Sequence, residues 1–425
     1  MKNINSILKQ VLQNVSPSKE EMQTINQYVS NFIKKLEKNI KKNKTKVEIF
    51  IGGSFAKNTL IKKNNYDVDI FLRFDKEYKN TTLAGLTSDI LKGIDDVSLI
   101  HGSRDYFRVK LGEKIYIEIV PVKKVKSSKD AENITDLSYS HVKYINKKVK
   151  SKNILDDIKI AKAFCYATQC YGAESYINGF SGYALELLVY NYGSFIKFIK
   201  TMEKVKPKLI IDIEKLYKNK KVVMLDLNTA KLNSPVILID PTYKQRNALA
   251  ALSDETFKKF QKACEDFLKN PSIESFEIKK TDLEKIKKDS EKKNYEFILL
   301  EANTEKQEGD IAGSKLLKFY NHLTKEINEL FIIKNKGFNY NKEKTARYFF
   351  VVKSKEEVLV EGPNTNDKDN VLKFRSKHDN IFTRKNKVFA REKVKQNLKE
   401  FLELWKRKHI NRLKEMYITQ LKIIN

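Results

Sequence analysis

The apolar residues of this chain change period several times, and each change marks an element. Ile4 to Gln13 reads as a first helix. Ser16-Pro17 predicts the start of a second, with Pro at its first position and Glu20 and Glu21 in the opening turns. Ile25, Val29, Phe32, Ile33 and Leu36 then recur at helical spacing and are expected to face a sheet. The period falls to two at Lys46 to Phe50, a strand running through Ile51 into Gly52-Gly53-Ser54. Asn64-Asn65 marks a turn before a second strand, Tyr66 to Leu72. Tyr106 to Leu111 and Ile115 to Val120 read as further strands joined at Gly112. This alternation predicts a small α/β head ending near Ser140.

From Ile154 to Leu268 the helical period dominates. Ile158, Ala161 and Cys165 form one stripe, Leu185, Leu188 and Val189 another. A short strand, Val236 to Ile239, ends at Asp240-Pro241, and the next helix carries Phe257, Phe260 and Phe267. The Lys/Glu-rich stretch Lys279 to Lys293 reads as a solvated helix and a hinge. Beyond it the pattern predicts a strand (Tyr295 to Leu300), an acidic loop at Glu308-Gly309-Asp310 and a helix from Ser314. Tyr348 to Val352 and Val358 to Glu361 suggest one small sheet broken at Gly362-Pro363, and a long basic helix is expected from about Arg391. The class is α+β multidomain: a head over 1–140, a helical centre over 141–272 and an α/β body and tail over 273–425.

The candidate chemistry sits on the second strand. Asp67 and Asp69 follow the Gly53-Ser54 pair by thirteen residues and, two apart, share a face. Carboxylates that close repel unless something positive lies between them, and Mg²⁺ prefers oxygen ligands. The Gly-Ser turn offers backbone N–H groups and a hydroxyl, which suit phosphate oxygens. In Ile115-Tyr116-Ile117-Glu118-Ile119, the isoleucines line one face and Glu118 the other. Adjacent strands would bring the three carboxylates together, the arrangement of two-metal phosphoryl or nucleotidyl transfer. An Asp-x-Asp pair is equally the wet face of an edge strand, and Glu118 equally a partner for a nearby lysine.

Charge changes the picture more than composition does. The 425 residues are 41% hydrophobic, ordinary for a folded chain, but 83 basic against 54 acidic side chains give +29. Such an excess attracts polyanions. Runs such as Lys218 to Lys221 also serve simply to solvate a surface. Three cysteines without C-x-x-C spacing argue against a disulfide scaffold or zinc site and for a reduced setting. No long apolar run predicts a membrane span, and Met1 to Val15 lacks the apolar block of a signal peptide.

Several blocks follow in order: Tyr171-Gly172-Ala173-Glu174, Gly179-Phe180-Ser181-Gly182-Tyr183, Glu186-Leu187-Leu188, Tyr192-Gly193-Ser194, Asp240-Pro241 and Arg246-Asn247-Ala248. With the turn and the two acidic strands, which look like the nucleotidyltransferase core shared with DNA polymerase β, this series closely resembles the archaeal (class I) CCA-adding enzymes. The resemblance runs from about Ser16 to Asn270. It implies a polymerase-β-like nucleotidyltransferase head, a nucleotide-binding helical centre and an RNA-binding C-terminal lobe. It implies addition of C, C and A to the tRNA 3′ end from CTP and ATP, with Mg²⁺, in the cytoplasm. Related terminal nucleotidyltransferases such as poly(A) polymerases, and an inactive RNA-binding protein on the same fold, stay open as alternatives. Family members are often homodimers.

Matched position by position, the resemblance implies catalytic and metal roles for Asp67, Asp69 and Glu118, the last standing where an aspartate is commoner. It implies nucleotide contacts from Gly53, Ser54, Lys57 (where an arginine is usual), Ser138, His141, Lys162 and Tyr171, with Arg246 reading the base. Arg384, Lys385, Lys387 and Arg391 are the candidates for gripping the acceptor and TΨC arm. Read without the family, His141 is a lone polar-stretch histidine, Lys162 a lysine snorkelling from a helix, Tyr171 a cap contact and Arg246 a partner for Asp240.

Overall fold

A computed structural model of the chain describes residues 4–102, 104–206, 208–278 and 281–424. Lys279 and Lys280, where the expected hinge stretch begins, lie outside them. The chain forms two compact units, Met1–Lys279 and Lys280–Asn425.

The first unit opens with the helix Ile4–Val15, whose Ile7, Leu8 and Val11 join the core of the helical region rather than that of the sheet. The long helix Lys19–Asn43 is capped by Ser18, not by Ser16. Ser18 Oγ accepts from the Glu21 N–H at 3.1 Å and the Ser18 N–H in turn donates to Glu21 Oε2 at 2.7 Å, so the reciprocal box two residues downstream sets the start. Ile25, Val29, Phe32 and Leu36 of this helix are buried against a five-stranded sheet. Its strands are β1 (Val47–Ile51), β2 (Tyr66–Phe74), β3 (Val97–Ile100), β4 (Tyr106–Lys110) and β5 (Ile115–Lys123), in the order β1-β2-β5-β4-β3. Only β2 and β5 run parallel. Between β1 and β2 the Gly-Gly-Ser segment winds into a single helical turn, Gly53–Ala56.

The rest of the unit is mainly helical. Helices Lys152–Ala167, Gly182–Tyr192, Phe195–Glu203 and Asp254–Lys269 share a core rich in phenylalanine, including Phe164, Phe198, Phe260 and Phe267. Three short strands, β6 (Leu209–Ile211), β7 (Val236–Asp240) and β8 (Tyr243–Asn247), make a second small sheet.

The second unit pairs β9 (Glu296–Asn303), β10 (Phe331–Tyr340), β11 (Thr345–Ser354) and β15 (Gln420–Ile423) in one sheet. A smaller sheet holds β12 (Glu357–Asn364), β13 (Ile381–Arg384) and β14 (Lys387–Lys393). Three expectations fail here. The segments 348–352 and 358–361 belong to different sheets, because β11 buries Ala346, Tyr348, Phe350 and Val352 against the helix Asp310–Leu330 whereas Leu359 of β12 faces solvent. That helix starts at Asp310 behind Gly309, whose φ of +88° ends the preceding loop, and not at Ser314. Arg391 lies in a strand, since Val388 and Ala390 alternate inward. The helix that follows, Leu398–Lys408, begins where Asn397 and Glu400 form a capping box, and the chain closes on β15.

Candidate active site

The parallel register of β2 and β5 sets Asp69 opposite Glu118 and Asp67 opposite Tyr116. Residues in register share a face, so the three half-buried carboxylates lie on one side of the sheet. Val68, Ile70, Ile117 and Ile119, all fully buried, lie on the other. A slip of one residue would turn either strand's carboxylates into that core. Gly53 stands against this face with φ +61°, and a Cβ there would fall 1.6 Å from Asp69 Oδ2. The turn can therefore approach the carboxylate only as glycine. Burial pushes the Asp69 carboxyl up to about 6, with Asp67 adding to the rise and Lys57 opposing it. Burial also pushes the Tyr106 phenol on β4 up to about 12, helped by Glu118, Asp67 and Asp69.

Arg108 enters the same face from β4, opposite Glu118 in the antiparallel register. Its Nη2 donates to Asp67 Oδ1 at 2.9 Å. Among the described residues no three His, Cys, Asp or Glu side chains are drawn together tightly enough to form a metal cluster. The donor set nonetheless suits a hard divalent ion: carboxylate oxygens on one face, one with its charge disfavoured by burial and by its neighbour Asp67, and a glycine leaving room beside it.

Next to the carboxylates, a cavity of about 240 Å³ is lined by Gly53, Ser54, Lys57, Asp67, Asp69, Lys162 and Tyr171, with Glu186 at its base. Glu186 is fully buried, Lys162 is 2% exposed and Lys57 7%. Lys57 Nζ donates to Glu186 Oε2 at 2.6 Å. Lys162 Nζ donates to Oε1 at 2.9 Å and to Thr59 Oγ1 at 2.8 Å. Thr59 in turn donates to Oε1 at 2.8 Å. Burial alone would raise the Glu186 carboxyl, but Lys162 and Lys57 outweigh it and hold it at about 2. Burial lowers the Lys162 amine to about 8 against the pull of Glu186. At the cavity wall Tyr171 stacks on Tyr166 with centroids 4.2 Å apart, and Lys63 Nζ sits 4.7 Å over the Tyr166 ring.

His141 and Arg246 do not line this cavity; they meet at Asp240. The fully buried Asp240 carboxylate takes His141 Nε2 at 3.0 Å, Arg246 Nη1 at 2.7 Å, the Tyr183 hydroxyl at 3.0 Å and the Thr242 N–H at 2.8 Å. Burial opposes its charge, yet His141 and Arg246 hold its carboxyl far below the usual carboxylate range. His141 is thus a buried residue, stacked on Tyr183 at 4.1 Å, and burial lowers its pKa despite Asp240. Tyr183 links the two clusters, for Lys57 Nζ lies 5.9 Å from its ring centroid. Ser138 opens the helix Ser138–Lys148 that carries His141.

In the second unit Arg384, Lys385 and Lys387 crowd the β13–β14 hairpin, all exposed. Lys385 and Asn386 form its tip with φ of +49° and +60°. Lys387 is ion-paired with Glu361, and the exposed Arg391 lies over Phe382 at 5.5 Å.

Arg108, Thr59, Tyr183, Asp240 and Glu186 had no role in the sequence reading beyond framing a motif or pairing Arg246. Two of them carried a signal. Glu186 is a charge amid Ala184, Leu185, Leu187 and Leu188, and Asp240 ends a strand of Val236, Ile237, Leu238 and Ile239. A charge inside an apolar run is either paired or misplaced.

Comparison with known proteins places the chain in a family. Residues 156–277 match the family described as tRNA nucleotidyltransferase, second domain, and residues 1–153 match the Second Messenger Oligonucleotide or Dinucleotide Synthetase domain. The CCA-adding enzyme of Nanoarchaeum equitans is 42% identical over 174 residues, 40% of this chain and 43% of that one. That of Methanocaldococcus jannaschii is 30% identical over 403 residues, 91% of this chain and 87% of that one. Among solved structures, the Cid1 poly(U) polymerase bound to MgATP aligns with a TM-score of 0.51 at 12% identity, covering 65% of this chain and 99% of that one, a likeness of fold. The fold is α+β and polymerase-β-like, and the chain belongs to the CCA-adding enzymes, a family of tRNA nucleotidyltransferases.

Proposed function

We propose that this chain adds C, C and A to the 3′ end of tRNA, without a template, from CTP and ATP. The reading is carried by one observation: a shared carboxylate face on β2 and β5 opens beside a cavity whose base holds two buried lysines for one carboxylate. In the reaction the terminal hydroxyl of the tRNA forms a bond to the α-phosphorus, the α–β phosphoanhydride bond breaks, and the hydroxyl proton and pyrophosphate leave. Asp67, Asp69 and Glu118 would hold Mg²⁺, which when bound lowers the pKa of the attacking hydroxyl and neutralises phosphate charge. Ser54, Lys57, Lys162 and Tyr171 bind the triphosphate, with Gly53 allowing its close approach. Arg246, fixed by Asp240, reads the base, and His141, bonded to the same carboxylate, and Ser138, at the start of its helix, contact the nucleotide.

The division of labour is a catalytic head over 1–140, a nucleotide-binding centre over 141–272 and a tRNA-binding body over 273–425. The last binds the acceptor and TΨC arm by backbone shape, with Arg384, Lys385, Lys387 and Arg391 as contacts. No described helix is long and apolar enough to cross a membrane. A cytoplasmic enzyme, assembled as a homodimer, completes the reading. The test is extension of tRNA lacking CCA with each nucleotide and Mg²⁺. Incorporation that stops after C, C and A supports it; long tails of one nucleotide favour a terminal polymerase, and no incorporation favours an inactive RNA-binding protein.

A further inference from the structure

We infer that Glu186 is a positioning residue: by dividing its carboxylate between Lys57 and Lys162, it keeps both ammonium groups charged and directed at a single phosphate anion in the cavity. This inference rests on the nucleotide reading above. The geometry carries it. Each Glu186 oxygen serves a different lysine, Oε2 taking Lys57 and Oε1 taking Lys162 and Thr59. The three charged groups come from three separate elements: the segment after the Gly-Ser turn, the helix Lys152–Ala167 and the helix Gly182–Tyr192. None is more than 7% exposed.

The charge count then decides between a latch and a binding device. Within the cluster two cations share one anion; of the other charged groups lining the cavity, Asp69 draws on Lys57, Asp67 is taken by Arg108 and Lys63 adds a third lysine, so three lysines stand against Glu186 and Asp69 and positive charge is in surplus beneath the cavity. A buried surplus charge is costly unless a counter-ion meets it. A neutral latch would need only one lysine. Buried ion pairs are in any case weak sources of stability, since desolvation offsets their attraction. A phosphate oxygen entering the cavity supplies the missing charge. Without Glu186 the two amines would face each other in a low-dielectric site, and one would lose its proton. The direction already seen at Lys162, lowered by burial and supported by Glu186, agrees.

The test is CTP binding without tRNA, by calorimetry, for the wild type, Glu186→Gln and Glu186→Asp between about pH 6 and pH 9, a range spanning the lowered amine. Glu186→Gln should weaken CTP binding about tenfold or more at the alkaline end, where a charge-assisted hydrogen bond to the phosphate disappears, and recover most of that at the acid end as the amine regains its proton. Glu186→Asp, which keeps the charge, should follow the pH profile of the wild type. A loss equal at every pH, or none, overturns the inference. Should Glu186→Gln fail to fold, carbon-13 titration of the lysine side chains in the wild type decides: both amines protonated at neutral pH supports it, and either one neutral refutes it. Wild-type protein that binds no CTP would sink the nucleotide reading, and this inference with it.

Discussion

Arg108 donates from Nη2 to Asp67 Oδ1 at 2.9 Å, with its guanidinium 4.1 Å over the Tyr116 ring. Its Nε is buried without a hydrogen-bond partner among the described residues. A cation thus occupies an oxygen that a divalent ion would need. An ion pair this open to solvent contributes about 0.2–1 kcal/mol. Arg108→Gln should therefore raise divalent-ion affinity by about 1.4-fold to fivefold. Manganese titration followed by electron paramagnetic resonance measures this directly; weaker binding in the variant would show that Arg108 supports the ion and does not compete with it.

Asp67→Ala should abolish addition, by about a thousandfold or more, because the charge stabilisation it supports is worth several kcal/mol. Binding of tRNA should change little, since Asp67 is a half-exposed residue on the carboxylate face and its pairing with Arg108 is weak. Single-turnover extension and filter binding separate the two effects. Retained turnover would remove Asp67 from the chemistry.

Asp69→Asn tests the cost of the same face. The Asp69 carboxyl is raised to about 6 by burial, above its ordinary value near 4. The folded state thus binds the proton more tightly than the unfolded one, and stability falls as pH rises from about 4 to about 6. The amide removes that loss. Metal-free Asp69→Asn should melt several degrees higher than the wild type at neutral pH, with the gap closing near pH 4, as calorimetry in a chelator would read. A constant gap would place the effect in packing and not in ionisation.

The parts of the site that follow a local period were legible from the residues. Alternation in β2 and β5 put Asp67 and Asp69 on one face and Glu118 on the polar face of its own strand, and the register sets all three on the same side of the sheet, with Asp69 opposite Glu118. The helical stripes around Ile25, Ile158 and Leu185 are buried as expected. What escaped depends on chain-distant pairing. Nothing local connects Lys57 to Glu186, 129 positions apart, or His141 to Asp240, 99 apart. Sheet membership failed for a similar reason. Tyr348 and Val358 sit in similar apolar runs, and only the partner strands, β9 and β14, assign them to separate sheets. The missed helix start at Ser18 was a local contest between two serines, decided by Glu21.

Gly53→Ala should be damaging out of proportion to one methyl group. The left-handed φ of +61° costs an alanine about 1–2 kcal/mol, and its Cβ would lie 1.6 Å from Asp69 Oδ2, so the carboxylate must move. A displacement of about 1 Å at such a site costs about a hundredfold in rate. We expect that loss in extension with only a modest fall in melting temperature. A large drop in stability with full specific activity would assign Gly53 to folding alone.

The β13–β14 hairpin offers a graded test of tRNA binding. Its tip, Lys385-Asn386, takes two left-handed residues, the geometry of a tight turn that pushes neighbouring side chains into solvent. Arg384 and Lys385 are exposed there, whereas Lys387 already pairs with Glu361 and must exchange that partner for a phosphate. Alanine at Arg384 or Lys385 should weaken tRNA binding severalfold and make the salt dependence shallower, by roughly one unit of slope for each phosphate that is no longer neutralised. Alanine at Lys387 should cost less on both counts. Filter binding across a salt series checks the order, and a Lys387 effect equal to that of Lys385 would mean the Glu361 pair does not persist in solution.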